Sequence, residues 1–209
     1  CLNAILSSCA TKSYCEQVAE RLLKGDLSDI KPGAKLATCD LTGAQIPTTD
    51  LSNSNLTEAI FSGGDLRAVN FTNSDLRAAV LAGADLTGAN FGKAKMDAVN
   101  LSSSVLRAAS LKNAVLNGAN LANADLTGAD LSGASLRGVN LYGALISMEQ
   151  LLKVKDLTGA TMPDGSLYVP PTATPTPSKT LTPTPTVNPR TPSATPRPPT
   201  ATSTVIPSE

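Results

Sequence analysis

The sequence has 209 residues, with 17 basic and 17 acidic side chains, no His, no Trp and only 3% aromatic residues. The balanced charge argues against sequence-independent nucleic-acid binding, which needs a surplus of basic side chains to displace counterions. The absence of His excludes imidazole-based catalysis and His-ligated zinc sites. A chain with so few aromatic residues must bury mainly Leu and Ala if it folds.

The first segment, residues 1–12, has features of an exported lipoprotein. Cys1 stands where signal cleavage leaves a lipidated Cys, and the stretch Leu6–Cys9 resembles a lipobox. We therefore predict lipid attachment at Cys1 or Cys9, with a fragment boundary that falls at a Cys as the alternative. No apolar run approaches the roughly 18 residues of a membrane-spanning helix, so membrane contact is expected only through a lipid.

The next segment, residues 13–33, is predicted to hold an N-terminal capping helix. Ser13 and Glu16 have the spacing of a capping box, and Gly25 follows as a stop signal. The four Cys residues stand at positions 1, 9, 15 and 39 without a Cys-x-x-Cys pair, which is poor spacing for a metal site. If one Cys is lipidated, we expect Cys15 and Cys39 to form a disulfide; the alternative is unpaired, buried thiols.

A five-residue period dominates residues 34–148. An apolar residue, which we call the centre, stands at every fifth position from Leu36 to Ile146, which gives 23 pentads. Such a series has chance odds on the order of 10⁻⁹ at this apolar content. The residue two before the centre is small, being Ala in 14 of the 23 pentads, and the residue one before it is Asp or Asn in 13. The residue two after it is Gly or Asn in 13 pentads, and these types tolerate a positive φ at a corner.

A period of five fits neither an amphipathic helix nor a half-buried strand, so the chain must form a polygonal coil. The pattern, as in Ala84–Gly88 (Ala-Asp-Leu-Thr-Gly), resembles that of the pentapeptide-repeat family. The resemblance implies an all-β solenoid, a right-handed quadrilateral β-helix with four pentads per coil. With coils about 4.8 Å apart, the rod would be roughly 28 Å tall, with a filled axis and no internal ligand cavity.

Four pentads per coil place residues 20 apart on the same side of the rod. We then expect Phe71 and Phe91 to stack inside. Outside, we expect an amide ladder of Asn100, Asn120 and Asn140. We also expect Asp65 and Asp85 to stack, with either solvent or Arg67 relieving their repulsion. Arg67 and Arg107 are expected to share one side, and Arg77 and Arg137 another.

The C-terminal part is predicted to contain a cap, residues 149–168, and a disordered tail, residues 169–209. Ser147 and Gln150 form a second capping box, after which Leu157–Gly165 resembles the repeat with its frame shifted by one residue and is expected to return along the rod. The tail has 12 Pro and 12 Thr and little apolar surface to bury. Its Thr-Pro pattern is typical of spacers in secreted proteins, and a cytosolic linker is the alternative.

No catalytic constellation is found, and we predict neither enzymatic activity nor a cofactor or metal. The many Asp residues follow the repeat, so their proximity alone does not indicate a glycosidase or calcium site. Apolar residues replace Asp or Asn before five centres: Ile60, Val80, Val105, Val115 and Leu145. Ile60 and Val80 are 20 apart and are predicted to form a protein contact, or else ordinary scattered apolar surface.

Three functions are compatible with these features. The first is a non-catalytic structural or protein-interaction module, exported and associated with the cell envelope, with an unknown protein partner; a cytoplasmic location is the alternative. The second is implied by the resemblance, because some family members mimic DNA and bind DNA gyrase. With nine acidic and seven basic residues between 36 and 146, the charge is too small for strong mimicry. The third is the repeat region of a larger, truncated protein.

Overall fold

The structure is a computed structural model that describes residues 13–170, and these residues fall within one compact unit. The candidate lipidation sites Cys1 and Cys9, and the Pro/Thr-rich tail from residue 171 onward, lie outside the described residues. Two helices are present in this part of the chain, α1 (Tyr14–Leu23) and α2 (Met148–Leu151). Between them the backbone winds in coils of 20 residues, with isolated parallel β-bridges rather than long strands.

The bridges join residues 20 apart along most of the rod and define four sides. Side A carries the bridge series Asp40, Ile60, Val80, Asn100, Asn120, Asn140 and Thr161. Side B carries Gln45, Asp65, Asp85, Val105, Asp125 and Leu145. Side C carries Asp50, Asn70, Asn90, Ser110 and Asp130. Side D carries Lys35, Asn55, Asp75, Lys95, Val115, Ser135 and Asp156. Because the chain visits the sides in the order A, B, C, D, sides A and C are opposite.

The interior is filled by the centres and the small residues two positions before them. Of the 23 predicted centres, 22 are buried, and only Ile146, at the end of the series, is half-buried. Phe71 and Phe91 stack as predicted, with ring centroids 4.9 Å apart and ring planes within 8°. Ser74 and Ser104 are buried too, and each hydroxyl donates to the carbonyl three residues earlier. Every buried side-chain N or O atom in the described residues has a hydrogen-bond partner.

The backbone bonds of each coil explain the role of Asp and Asn before the centre. The centre N–H donates to the next coil, as from Leu86 to the Val105 carbonyl at 2.8 Å. The carboxylate one residue earlier, Asp85, accepts from the N–H of Thr87 at 3.0 Å and from its hydroxyl at 2.6 Å. This local bond closes the turn that follows the centre, so the repeat selects short side chains with an acceptor oxygen.

The two helices begin at the predicted capping boxes. Ser13 Oγ accepts from the Glu16 N–H at 3.3 Å while the Glu16 carboxylate accepts from the Ser13 N–H at 2.8 Å. Ser147 and Gln150 repeat this arrangement at α2. Gly25, the predicted stop, has a φ of +75° just after α1 ends.

The segment after α2 rejoins the stack instead of only covering it. The bridges Ser135–Asp156 and Asn140–Thr161 span 21 residues, which is the predicted frame shift of one residue. Leu157 and Ala160 are buried in this added half-coil, so the stack extends past the boundary at 148 that the periodicity predicts. The chain turns back only afterwards, where Leu167 pairs antiparallel with Thr161.

Candidate functional site

Ile60 and Val80, the predicted contact residues, form a bridge with each other on side A. Both side chains are half-buried, so part of each remains accessible to solvent. The other three apolar replacements do not join them, because Val105 and Leu145 lie on side B and Val115 on side D. The structure therefore brings together one apolar pair, and not a larger apolar patch, on the sides of the rod.

The predicted amide ladder lies above this pair on the same side. Asn120 Nδ2 donates to Asn100 Oδ1 at 3.5 Å, and Asn140 Nδ2 donates to Asn120 Oδ1 at 3.3 Å. The Oδ1 atoms of all three also accept a backbone N–H two residues later. The ladder uses one N–H of an amide group per rung, so amide donors remain for an external ligand.

Side A also carries no charge in the five coils between Asp40 and the half-coil of Thr161, where Asp164 is the next charged residue; sequence reasoning had missed this. None of its fifteen outward positions over five coils is charged: Ile60, Ser62, Gly63, Val80, Ala82, Gly83, Asn100, Ser102, Ser103, Asn120, Ala122, Asn123, Asn140, Tyr142 and Gly143. The other sides carry charges at the same height, as side B does with Asp65, Arg67, Asp85, Arg107 and Asp125. Sorting the sequence by side, rather than by pentad position, would have revealed this difference.

On the charged sides most of the outward Asp residues are paired with a cation. Arg67 donates to Asp65 at 2.6 Å and lies 3.9 Å from Asp85, which confirms the predicted relief of this stacked pair. The hydrogen bond from the Arg67 side chain lowers the pKa of Asp65. Four further pairs are Arg77–Asp75 at 2.7 Å, Arg107–Asp125 at 2.6 Å, Lys112–Asp130 at 3.1 Å and Arg137–Asp156 at 3.5 Å. This local pairing leaves little continuous negative surface.

Asp130 is an example of a carboxylate that accepts hydrogen bonds within its own turn. Hydrogen bonds from the Ser132 side chain and backbone, followed by Lys112, lower the pKa of Asp130 to about 2. A carboxylate held ionised by its own turn is a poor general acid near neutral pH. In residues 13–170 no three His, Cys, Asp or Glu side chains are grouped so that they could hold a metal ion.

The C-terminal end of the rod is closed by Gln150, a second feature that the sequence did not reveal. In the coils below, the carbonyl two residues before the centre accepts an N–H from the next coil, as Ala124 does from Leu145 at 2.9 Å. The Ala129 carbonyl instead accepts from Gln150 Nε2 at 2.8 Å. The same Nε2 also donates to the Leu126 carbonyl at 2.7 Å. An open cleft of about 780 Å³ lies beside it, between α2 and the last complete coil.

The N-terminal end is partly covered by α1, which is covalently fixed to the first coil. Cys15 and Cys39 are joined by a disulfide with an S–S distance of 2.02 Å, 24 residues apart in the sequence. Val18, one turn after Cys15, is buried against the rod, whereas Leu23 at the end of α1 is 89% exposed. A smaller cleft of about 430 Å³ lies between the second half of α1 and residues 40–45.

Within residues 13–170, no helix is both long and apolar enough to cross a membrane.

Comparison with known proteins gives one family and several solved structures. A family model described as pentapeptide repeats matches residues 34–73, 65–102 and 104–143. QnrB1, a plasmid-mediated fluoroquinolone resistance protein, is 22% identical with a TM-score of 0.51, over 62% of this chain and 68% of that chain; at this identity the likeness shows the fold alone. HetL of Nostoc sp. strain PCC 7120, involved in heterocyst differentiation regulation, is 26% identical with a TM-score of 0.36, over 65% of this chain and 86% of that chain. No curated protein matches the chain.

Proposed function

Because this chain belongs to the pentapeptide-repeat family, whose fold is a right-handed β-helix, we propose that it is a non-catalytic protein-interaction module that uses side A as its contact surface. The observation that supports this proposal is the absence of charge from all fifteen outward positions of side A over five coils. The cores of protein interfaces are depleted in charged residues, because an unpaired charge is costly to desolvate.

Side A combines an apolar anchor with hydrogen-bonding groups. Ile60 and Val80 offer apolar surface at one end, and the ladder from Asn100 to Asn140 offers amide groups above it. Tyr142, 58% exposed, adds an aromatic side chain at the other end of the face. Amphipathic aromatic side chains are frequent anchors at interfaces.

The test is a double substitution on side A with a matched control on side C. Ile60→Asp with Val80→Asp places two carboxylates on the apolar pair, whereas Asn70→Asp with Asn90→Asp does the same in the same coils on the opposite side. We expect the side A variant to lose chemical crosslinking to its partner in an envelope extract, and the side C variant to keep it. Equal crosslinking by both variants, each with an unchanged unfolding temperature, would refute the role of side A.

We further propose that the protein is exported and attached to the cell envelope by a lipid on Cys1 or Cys9. The Cys15–Cys39 disulfide supports this location, because disulfides persist in oxidising compartments and are rare in the cytosol. Mass spectrometry of the protein from fractionated cells should show a diacylated or triacylated N-terminal peptide in the membrane fraction. Recovery of the whole precursor from the cytosol with free Cys15 and Cys39 thiols would contradict export.

A gyrase-binding role is the second candidate, favoured by the fold likeness to QnrB1. DNA mimicry needs a strongly negative rod, whereas residues 36–146 carry nine acidic and seven basic side chains. The ion pairs of Asp65, Asp75, Asp125 and Asp130 reduce the negative surface further. Inhibition of gyrase supercoiling at micromolar protein would establish this role in place of the first; no inhibition would remove it.

A further inference from the structure

The first coil has a backbone edge without partners in the described chain. In later coils, the N–H of the residue before each centre donates to the coil below, as Ile60 does to Cys39 and Asp65 does to Ala44, both at 2.9 Å. The corresponding N–H groups of Asp40 and Gln45 have no acceptor among residues 13–170. Both residues are exposed, and within residues 13–170 nothing pairs with these donors.

The carbonyl groups of the same edge are also available. In the second coil, the Ile60 carbonyl accepts from Leu41 at 2.7 Å and the Ser62 carbonyl accepts from Gly43 at 2.9 Å. The equivalent carbonyls of the first coil, at Asp40 and Thr42, accept no backbone N–H from residues 13–170. The edge therefore presents both backbone donors and backbone acceptors, as the open side of a β-sheet does.

Helix α1 turns this edge into a groove instead of covering it. The cleft of about 430 Å³ is lined on one side by residues 40–45 and on the other by Ala19, Leu22, Leu23 and Gly25. Leu22 is half-buried and Leu23 is 89% exposed, so the wall opposite the backbone edge is apolar. The Cys15–Cys39 disulfide fixes the first turn of α1 against the coil and so holds the groove open.

We propose that this N-terminal groove binds an extended segment of a partner polypeptide, which pairs with the edge at Asp40–Gln45 and packs an apolar side chain against Leu23. An added strand satisfies the free backbone groups, and its alternate side chains reach the apolar wall. One side of the rod accommodates about five residues in this way. The groove is separate from the side A surface above Asp40, so this binding goes beyond the proposed function.

A second copy of the chain is a less suitable occupant. End-to-end stacking would bring the C-terminal end of one rod onto the groove of the next. That end is already closed, since the Gln150 side chain donates a hydrogen bond to the Ala129 carbonyl. Stacking would therefore have to displace both Gln150 and α2, whereas a single peptide strand needs no such change.

The experiment is an NMR titration of the ¹⁵N-labelled full chain with the capped peptide Thr-Val-Thr-Val-Thr. We expect saturable shifts of the Asp40 and Gln45 amide resonances and slower exchange of these amides with solvent, while the Ile60 amide is unchanged. Leu23→Asp should weaken binding about tenfold, because it removes one apolar contact. Leu152→Asp, which changes a 79% exposed Leu at the opposite end, should leave the affinity unchanged.

Three results would overturn the proposal. The first is the absence of shifts at Asp40 and Gln45 up to millimolar peptide. The second is slow solvent exchange of these amides in the chain without peptide, if deletion of residues 1–12 makes the exchange fast. That result would identify residues 1–12 as the occupant of the groove. The third is a set of shifts that depends on protein concentration without peptide, which would identify a second copy as the occupant.

Discussion

The corners of the rod differ between its two ends, although the backbone is the same at both. All 22 corner residues from 38 to 143, two after each centre, have a φ between 52° and 72°. The last six, from Gly118 to Gly143, are all Gly or Asn, whereas nine of the sixteen before them are other residues. The fold thus forms with or without residues suited to its corners, and we infer that the interior determines it.

The interior offsets the strain at the unsuited corners. A residue other than Gly or Asn with left-handed backbone dihedrals raises the free energy of the folded state by about 1–2 kcal/mol. Each such corner also has its N–H bonded to the next coil, as Ala98 does to Asn117 at 2.9 Å. Burial of a Leu centre contributes about 1.5–3 kcal/mol, which is enough to balance one strained corner.

The largest expected effect is therefore at the centres, and it should be similar in both regions. Leu101→Ala lies in a coil with strained corners, and Leu121→Ala lies one coil later, beside the Gly and Asn corners; both Leu residues are fully buried. Each substitution should reduce the free energy of unfolding by about 2–5 kcal/mol, because a cavity is left in a filled interior. Urea unfolding followed by circular dichroism measures this change.

A loss below about 1 kcal/mol at either position would show that the interior is not the main source of stability. As a control, Ser102→Ala on the surface of the same coil should change the free energy of unfolding by less than about 0.5 kcal/mol.

Exchanging Ala and Gly between two corners should change the free energy of unfolding by a smaller amount. Ala98 and Gly118 occupy stacked corners of side D, with φ values of 56° and 67°, and a Cβ at Gly118 would meet no atom within 4 Å. Ala98→Gly should stabilise the rod by up to about 1 kcal/mol, and Gly118→Ala should destabilise it by about the same amount. Paired thermal unfolding curves compare the two variants. The same sign of change for both would contradict the assignment of strain to the corners.

Acid pH should have the smallest effect and should act on both regions alike. The pKa of Asp65 and Asp75 in the earlier coils, and of Asp125 and Asp130 in the later ones, is lowered by hydrogen bonds from neighbouring side chains. A carboxylate with a lowered folded pKa stabilises the fold fully above its unfolded value, near 4, and loses this contribution as the pH falls. For Asp130, with a pKa of about 2, the loss falls between about pH 4 and pH 2.

Unfolding midpoints in urea at pH 7, 5, 4 and 2.5 should be level down to about pH 5 and should fall below pH 4. Asp130→Asn keeps an acceptor oxygen in the turn and should reduce this fall. A midpoint that decreases already between pH 7 and pH 5 would contradict the role assigned to these carboxylates.

The repeating part of the fold could be predicted from the sequence because each pentad has the same pattern of residue types around its apolar centre. The Phe71–Phe91 stack, the amide ladder and the capping boxes follow from positions 20 apart and from local spacing. The ends could not be predicted in this way, because they depend on contacts that occur once. Gln150 matches a capping box in the sequence, yet its bonds to Leu126 and Ala129 require the coil that it closes.

The candidate surfaces, too, could be predicted only in part from the sequence. Ile60 and Val80 were found as breaks in the pentad rule, but the neutrality of side A emerges only when residues are grouped by side. The N-terminal groove depends on where α1 lies across the first coil, and nothing in the repeat determines that position.

The coil of 20 residues is tested most directly by removing one coil from the middle of the rod. Deletion of residues 81–100 removes four pentads and leaves every remaining residue on its original side, whereas deletion of residues 81–98 does not. The first variant should unfold cooperatively within a few degrees of the intact protein, with a rod about 4.8 Å shorter by small-angle scattering, and the second should lose this transition. Loss of folding in the first variant, or equal folding of both, would contradict a four-sided coil with a filled interior.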